Sequence, residues 1–156
     1  MTFEENIGTK CIVNEEILPS DSLNSFTDEK YTACYEVIRI IKGIPLFYDD
    51  HFSRLKKSVQ KTGNELKITK IDLKEQIQKV CSLNEYVNCN VKVLVLLFES
   101  EQITLLHINK FYYPAKEEYD NGIKCCTVRL SRSNPNIKMV NTSFCAESII
   151  YSSTIF

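Results

Sequence analysis

Glycine and proline are scarce, four of each in 156 residues, and tryptophan is absent. Four glycines leave no room for a glycine-rich phosphate loop, and neither Gly-x-Gly-x-x-Gly nor a Walker pattern occurs. Histidine is limited to His51 and His107, so there is no His-Glu-x-x-His and no basis for a Ser-His-Asp triad. The seven cysteines are an odd number without a Cys-x-x-Cys pair, and Cys125 and Cys126 are adjacent. Reduced thiols in a cytoplasm are therefore expected, and no metal site. The longest apolar run, Val93 to Phe98, is six residues. A membrane span needs ~20, so no membrane association is expected. Met1-Thr-Phe-Glu-Glu5 lacks the charged and apolar regions of a signal peptide. Nineteen basic against twenty acidic residues leave a net charge of −1. That provides no field for a phosphate backbone, so no nucleic-acid partner is expected. Arginine is also rare, four against fifteen lysines. Each of Arg39, Arg54, Arg129 and Arg132 therefore draws notice.

What remains is an ordinary globular mix, with 44% hydrophobic and 25% charged residues. Lys10 to Val13 is a short strand-like piece, followed by a loop around Pro19. Cys34 to Ile41 is rich in β-branched and aromatic residues, Lys42-Gly43 turns it, and Ile44 to Tyr48 returns as a hairpin partner. Asp49 or Asp50 then caps a helix running to about Thr62, with Phe52, Leu55 and Val59 at helical spacing and Gly63 at its end. A second helix, near 72–84, starts at Asp72 with Glu75 as a capping box. Asn90 to Phe98 reads as a strand buried on both faces, and Ile103 to Phe111 comes back after a turn. The fold class is thus α+β: residues 1–115 form a domain of antiparallel sheet with two helices on it. Residues 116–156 hold a linker around Pro114 to Gly122, a strand over 123–130, a loop to Pro135 and a short helix over Thr142 to Tyr151.

Two stretches carry a resemblance. Tyr35-Glu-Val-Ile-Arg-Ile-Ile-Lys-Gly-Ile-Pro-Leu-Phe47 is followed by Asp50-His-Phe-Ser-Arg-Leu-Lys-Lys-Ser58. Downstream, Gly122-Ile-Lys, a strand and Asn134-Pro-Asn-Ile-Lys-Met-Val-Asn141 follow in order. Together they resemble the class IV aminotransferases, the fold-type IV pyridoxal-phosphate enzymes. These include branched-chain and D-amino acid aminotransferases and aminodeoxychorismate lyases. The shared pattern is Tyr-Glu, strand, Gly turn, strand, His-x-x-Arg-Leu with a small residue three further on, then Lys-x-x-Asn.

The resemblance implies pyridoxal 5'-phosphate as cofactor, with roles for particular residues. Lys138 matches the lysine that bonds the cofactor's aldehyde carbon; its amine must shed a proton to attack and can later move the substrate's α-proton. Arg54 matches the arginine on the cofactor phosphate, where a planar fork suits two oxygens better than a point charge. Tyr35 matches a tyrosine on the substrate side. His51 and Asn141 are supporting residues, and Arg132 is loop surface. By strand alternation Glu36 points away from Tyr35. Substrates would be an amino acid and a keto acid, and the full-length protein a homodimer. The reaction implied is transamination, with lyase chemistry as the near alternative.

Two departures follow. The glycine-containing approach to the Tyr-Glu pair is replaced by Tyr31-Thr-Ala-Cys34, which reduces backbone freedom there. The resemblance makes residues 116–156 the linker and the truncated start of the family's second, cofactor-lysine domain, and eighteen residues follow Lys138, too few for the family's later acid on the pyridine nitrogen and its second phosphate turn. The chain is accordingly expected to be a fragment of a longer enzyme, half of a split one, or a non-catalytic interaction module, and to turn over poorly by itself.

Overall fold

The computed structural model describes residues 3–26, 30–123, 127, 129 and 136–140. The chain divides into two compact units, one of Met1–Lys110 with Asn136–Val140, the other of Phe111–Pro135 with Asn141–Phe156.

The first unit is a six-stranded sheet in the order β2-β1-β6-β5-β3-β4, antiparallel at every pairing. Its strands are β1 (Lys10–Val13), β2 (Glu16–Pro19), β3 (Thr32–Ile41), β4 (Ile44–Pro45), β5 (Cys89–Leu97) and β6 (Gln102–Asn109). Two helices, α1 (Tyr48–Lys61) and α2 (Lys70–Leu83), lie between β4 and β5 in sequence. The α+β class expected from the sequence is the class observed.

Alternation along β3 divides the core in two. Cys34, Ile38 and Ile40 face the helices and pack with Leu55 and Val59 of α1 and Leu73, Ile77 and Val80 of α2. Ala33 faces the other way, with Leu94, Leu96 and Leu105. Each fully buried aliphatic side chain contributes roughly 1.5–3 kcal/mol of transfer free energy.

Local starts differ from expectation in ways the backbone explains. The return strand expected over Ile44 to Tyr48 is only two residues long. Pro45 has no N–H to extend the ladder, and Phe47 turns left-handed (φ 48°) to begin α1. Asp49 and Asp50 are therefore inside the first turn, where their charge suits the helix dipole, and neither caps. Likewise Thr69, not Asp72, caps α2: its hydroxyl oxygen accepts from the Asp72 N–H at 3.2 Å and its proton goes to the Asp72 carboxylate at 2.6 Å. The loop expected around Pro19 holds β2 and a 3-10 helix, Ser20–Phe26.

In the second unit, the stretch expected as linker contains α3 (Lys116–Asn121), whose Glu118 accepts from the Ala115 N–H at 2.7 Å. The expected strand 123–130 falls largely, and the helix over Thr142 to Tyr151 wholly, outside the described residues.

Candidate functional site

β4 pairs only with Ile40 and Ile41 of β3, which leaves the first half of that long edge without a strand partner from the hairpin. Residues 138–140 take the place. The Tyr35 N–H donates to the Lys138 carbonyl at 3.0 Å, the Val140 N–H donates to the Ala33 carbonyl at 2.9 Å, and Met139 bridges Cys34. A further bond, from the Lys138 N–H to the buried Ser58 hydroxyl (3.2 Å), ties the segment to α1. A residue some hundred positions downstream of β3 is thereby fixed beside it.

On α1, His51, Arg54, Leu55 and Ser58 follow the i, i+3, i+4, i+7 spacing of one helix face. Leu55 enters the core, while His51 and Arg54 stand where the helix crosses the even-numbered face of β3. Opposite them is Glu36, whose side chain is only 1% exposed.

Glu36 is the hub. Arg54 grips it side-on, Nε to Oε1 at 2.6 Å and Nη2 to Oε2 at 2.6 Å. His51 Nδ1 lies 2.8 Å from Oε2, and Lys138 Nζ lies 3.3 Å from the same oxygen. An ionised carboxylate only accepts, so the proton belongs on Nδ1 of His51. Burial pushes the Glu36 carboxyl up and is the largest single influence. The hydrogen bonds from Arg54 and His51, with the charges of Lys138 and Arg54, together outweigh it and hold the group below the usual carboxylate range. The same bond from Glu36 raises Arg54 further.

Tyr35 projects to the opposite face, as alternation requires. Its ring has the Lys138 ammonium 5.2 Å from its centroid and the Lys92 ammonium at 5.8 Å, both within cation–π range. Lys92 is held in turn by Glu5 at 2.8 Å. Lys138 thus reaches groups from both faces of β3, because it comes in at the strand's edge.

Of the residues singled out from the sequence, Lys138, Arg54, His51 and Tyr35 come together here, while Asn141 and Arg132 lie outside the described residues. Glu36, Ser58 and Lys92 were not singled out as site residues. Glu36 could have been found: an acid between apolar strand residues needs buried partners, and His51 and Arg54 on one helix face are those partners.

Chemically, the cluster offers a primary amine and a guanidinium that is half exposed, 51% for its side chain, with its Nε/Nη2 edge clamped on Glu36. Such a donor set fits a small molecule carrying both an aldehyde and a phosphate. Among the described residues no group of three or more His, Cys, Asp or Glu side chains could hold a metal ion. No described helix is long and apolar enough to cross a membrane.

A family model described as amino-transferase class IV matches residues 33–147. Over 51 residues the chain is 39% identical to a D-alanine aminotransferase of Bacillus licheniformis, covering 33% of this chain and 18% of that protein. Its fold resembles a Thermotoga maritima protein assigned as a branched-chain amino acid aminotransferase (TM-score 0.65, 17% identity, 90% of this chain and 52% of that one). It also resembles the branched-chain aminotransferase of Escherichia coli (TM-score 0.58, 14% identity, 70% and 42%). The chain spans about half or less of the length of these relatives.

Proposed function

Because the chain belongs to the class IV aminotransferase family, we propose that it carries the cofactor lysine and a phosphate-binding arginine of a pyridoxal-phosphate enzyme that moves amino groups between an amino acid and a keto acid. One observation supports this above the rest: Lys138 and Arg54, more than eighty residues apart, both reach the carboxylate of Glu36.

Pyridoxal phosphate, when bound, supplies the aldehyde and the electron-withdrawing ring for this chemistry. Lys138 Nζ is the group that would hold the aldehyde carbon and, once released, move the proton at the substrate's α-carbon. The other edge of Arg54 would take two phosphate oxygens. The Tyr35 ring, beside the Lys138 ammonium, would form part of the substrate-facing wall.

The test is to incubate the purified chain with pyridoxal phosphate, reduce with borohydride and map the adduct. Lys138 should be modified ahead of the other fourteen lysines. Replacing Arg54 by Ala should weaken retention roughly tenfold or more, the loss of a charge-assisted contact. Amino transfer and pyruvate release from aminodeoxychorismate, assayed in parallel on the full-length protein, separate transaminase from lyase. Adducts spread evenly over the lysines would sink the reading and favour a non-catalytic interaction module.

A further inference from the structure

On the reading that Lys138 and Arg54 hold the cofactor, we propose that Glu36 is the positioning residue that couples them: its carboxylate aims the guanidinium at a phosphate and keeps the lysine amine beside it.

The bond geometry carries this. An arginine has five N–H donors in a rigid fork. The side-on grip uses Nε and one proton of Nη2 at 2.6 Å each, and both go to Glu36. The remaining protons, on Nη1 and the far side of Nη2, form the end-on edge. The Glu36 grip leaves that edge unused; Nη2 also lies 3.1 Å from His51 Nδ1, and the side chain as a whole is 51% exposed. The guanidinium cannot swivel about its own stem without breaking two short charge-assisted bonds, so the direction of the free edge is set by Glu36.

The lysine is held differently. Oε2 accepts from Nη2 at 2.6 Å, from His51 at 2.8 Å and from Lys138 at 3.3 Å. The lysine contact is the longest of the three and the easiest to give up. When the amine turns to an aldehyde, the carboxylate keeps Arg54 and His51 as partners and is not left bare. The fixed arm is the one that must grip and the loose arm is the one that must react. A buried ion pair that merely pinned α1 to the sheet would need Arg54 and His51 alone. It would not need a third donor, brought in on a separate segment and bound by the same oxygen.

The experiment compares two aldehydes at Lys138, pyridoxal phosphate and pyridoxal, by borohydride trapping and peptide mapping. Each yield is divided by the yield at Lys56, an exposed lysine of α1. In the wild-type chain the phosphate-bearing aldehyde should be preferred at Lys138 by roughly tenfold or more. In Glu36→Gln, which keeps the shape and loses the charge, pyridoxal should still label Lys138 while the preference falls several-fold. A purely structural role would lower the melting temperature and both yields together, leaving their ratio intact. That intact ratio in folded Glu36→Gln overturns the proposal while the cofactor reading stands. Absence of any preference in the wild type overturns the cofactor reading, and this proposal with it. Should Glu36→Gln fail to melt cooperatively, the Arg54 Nε–H resonance of the wild-type chain decides. It should stay protected from exchange when inorganic phosphate is added in excess. Its loss would mean that phosphate displaces Glu36 instead of binding the opposite edge, and the proposal would fall.

Discussion

A carboxylate buried on a strand is explained by its partners, and Glu36 has three. The alternation of β3 was legible in the sequence, and it set Glu36 opposite Tyr35 correctly. What stayed hidden was that the opposite face is the one α1 crosses, since periodicity assigns faces within an element and says nothing about which element lies over them. The partners make Glu36 sensitive to acid. Its folded-state affinity for a proton is depressed, so its contribution to stability is present above the ordinary carboxylate range, ~4.3 for glutamate. It is lost as pH falls through the lower folded value. Glu36→Gln should cost roughly 1–3 kcal/mol at pH 7, because two cations then face a neutral amide. Urea unfolding at a series of pH values should show the gap between wild type and variant closing below about pH 4. A gap of the same size at pH 3 and pH 7 would mean that the ionised carboxylate is not what stabilises the cluster.

At the scale of elements, strands with strong composition were readable and those defined by context were not. β3, β5 and β6 fall within a residue or two of the expected segments at most ends, because β-branched runs and turn residues bound them. β2 escaped notice because Glu16–Pro19 is mostly exposed and ends on proline, and only its pairing to β1 makes it a strand. The two helix starts were misplaced for a shared reason: several residues compete to cap, and the backbone conformation before the helix decides among them. The strand-like addition of residues 138–140 was the least legible of all, being two hydrogen bonds and one bridge on an edge that β4 is too short to cover. Val140→Pro removes the donor to the Ala33 carbonyl. It should cost about 1 kcal/mol and should raise hydrogen exchange at the Tyr35 amide, whose acceptor is the Lys138 carbonyl. Amides in the β5–β6 ladder should keep their protection. Unchanged exchange at Tyr35 would show that the segment does not depend on its bond to Ala33.

At the scale of the molecule, the ordered set of motifs was the informative feature, since composition and spacing alone described only a globular α+β domain. Motif order pointed to the family, and the family model and the fold agree with it. The structure adds that Tyr35, Glu36, His51, Arg54 and Lys138 all belong to one compact unit, the sheet with its two helices. A ligand held by Lys138 and Arg54 should then be felt in the unfolding of that unit. A ligand that binds the folded state and not the unfolded one, at a hundred times its dissociation constant, stabilises by about 2.7 kcal/mol. Pyridoxal phosphate should therefore raise the melting transition of the chain by several degrees, rising with the logarithm of concentration. Plain pyridoxal should raise it less, since nothing then occupies Arg54. Lys138→Ala should remove most of the shift, while Thr69→Ala, which loosens the start of α2 by removing a hydroxyl bonded to Asp72 and to no residue of the cluster, should lower the baseline and leave the shift in place. A shift of equal size with pyridoxal phosphate and with inorganic phosphate would assign the whole effect to the anion and none to the lysine.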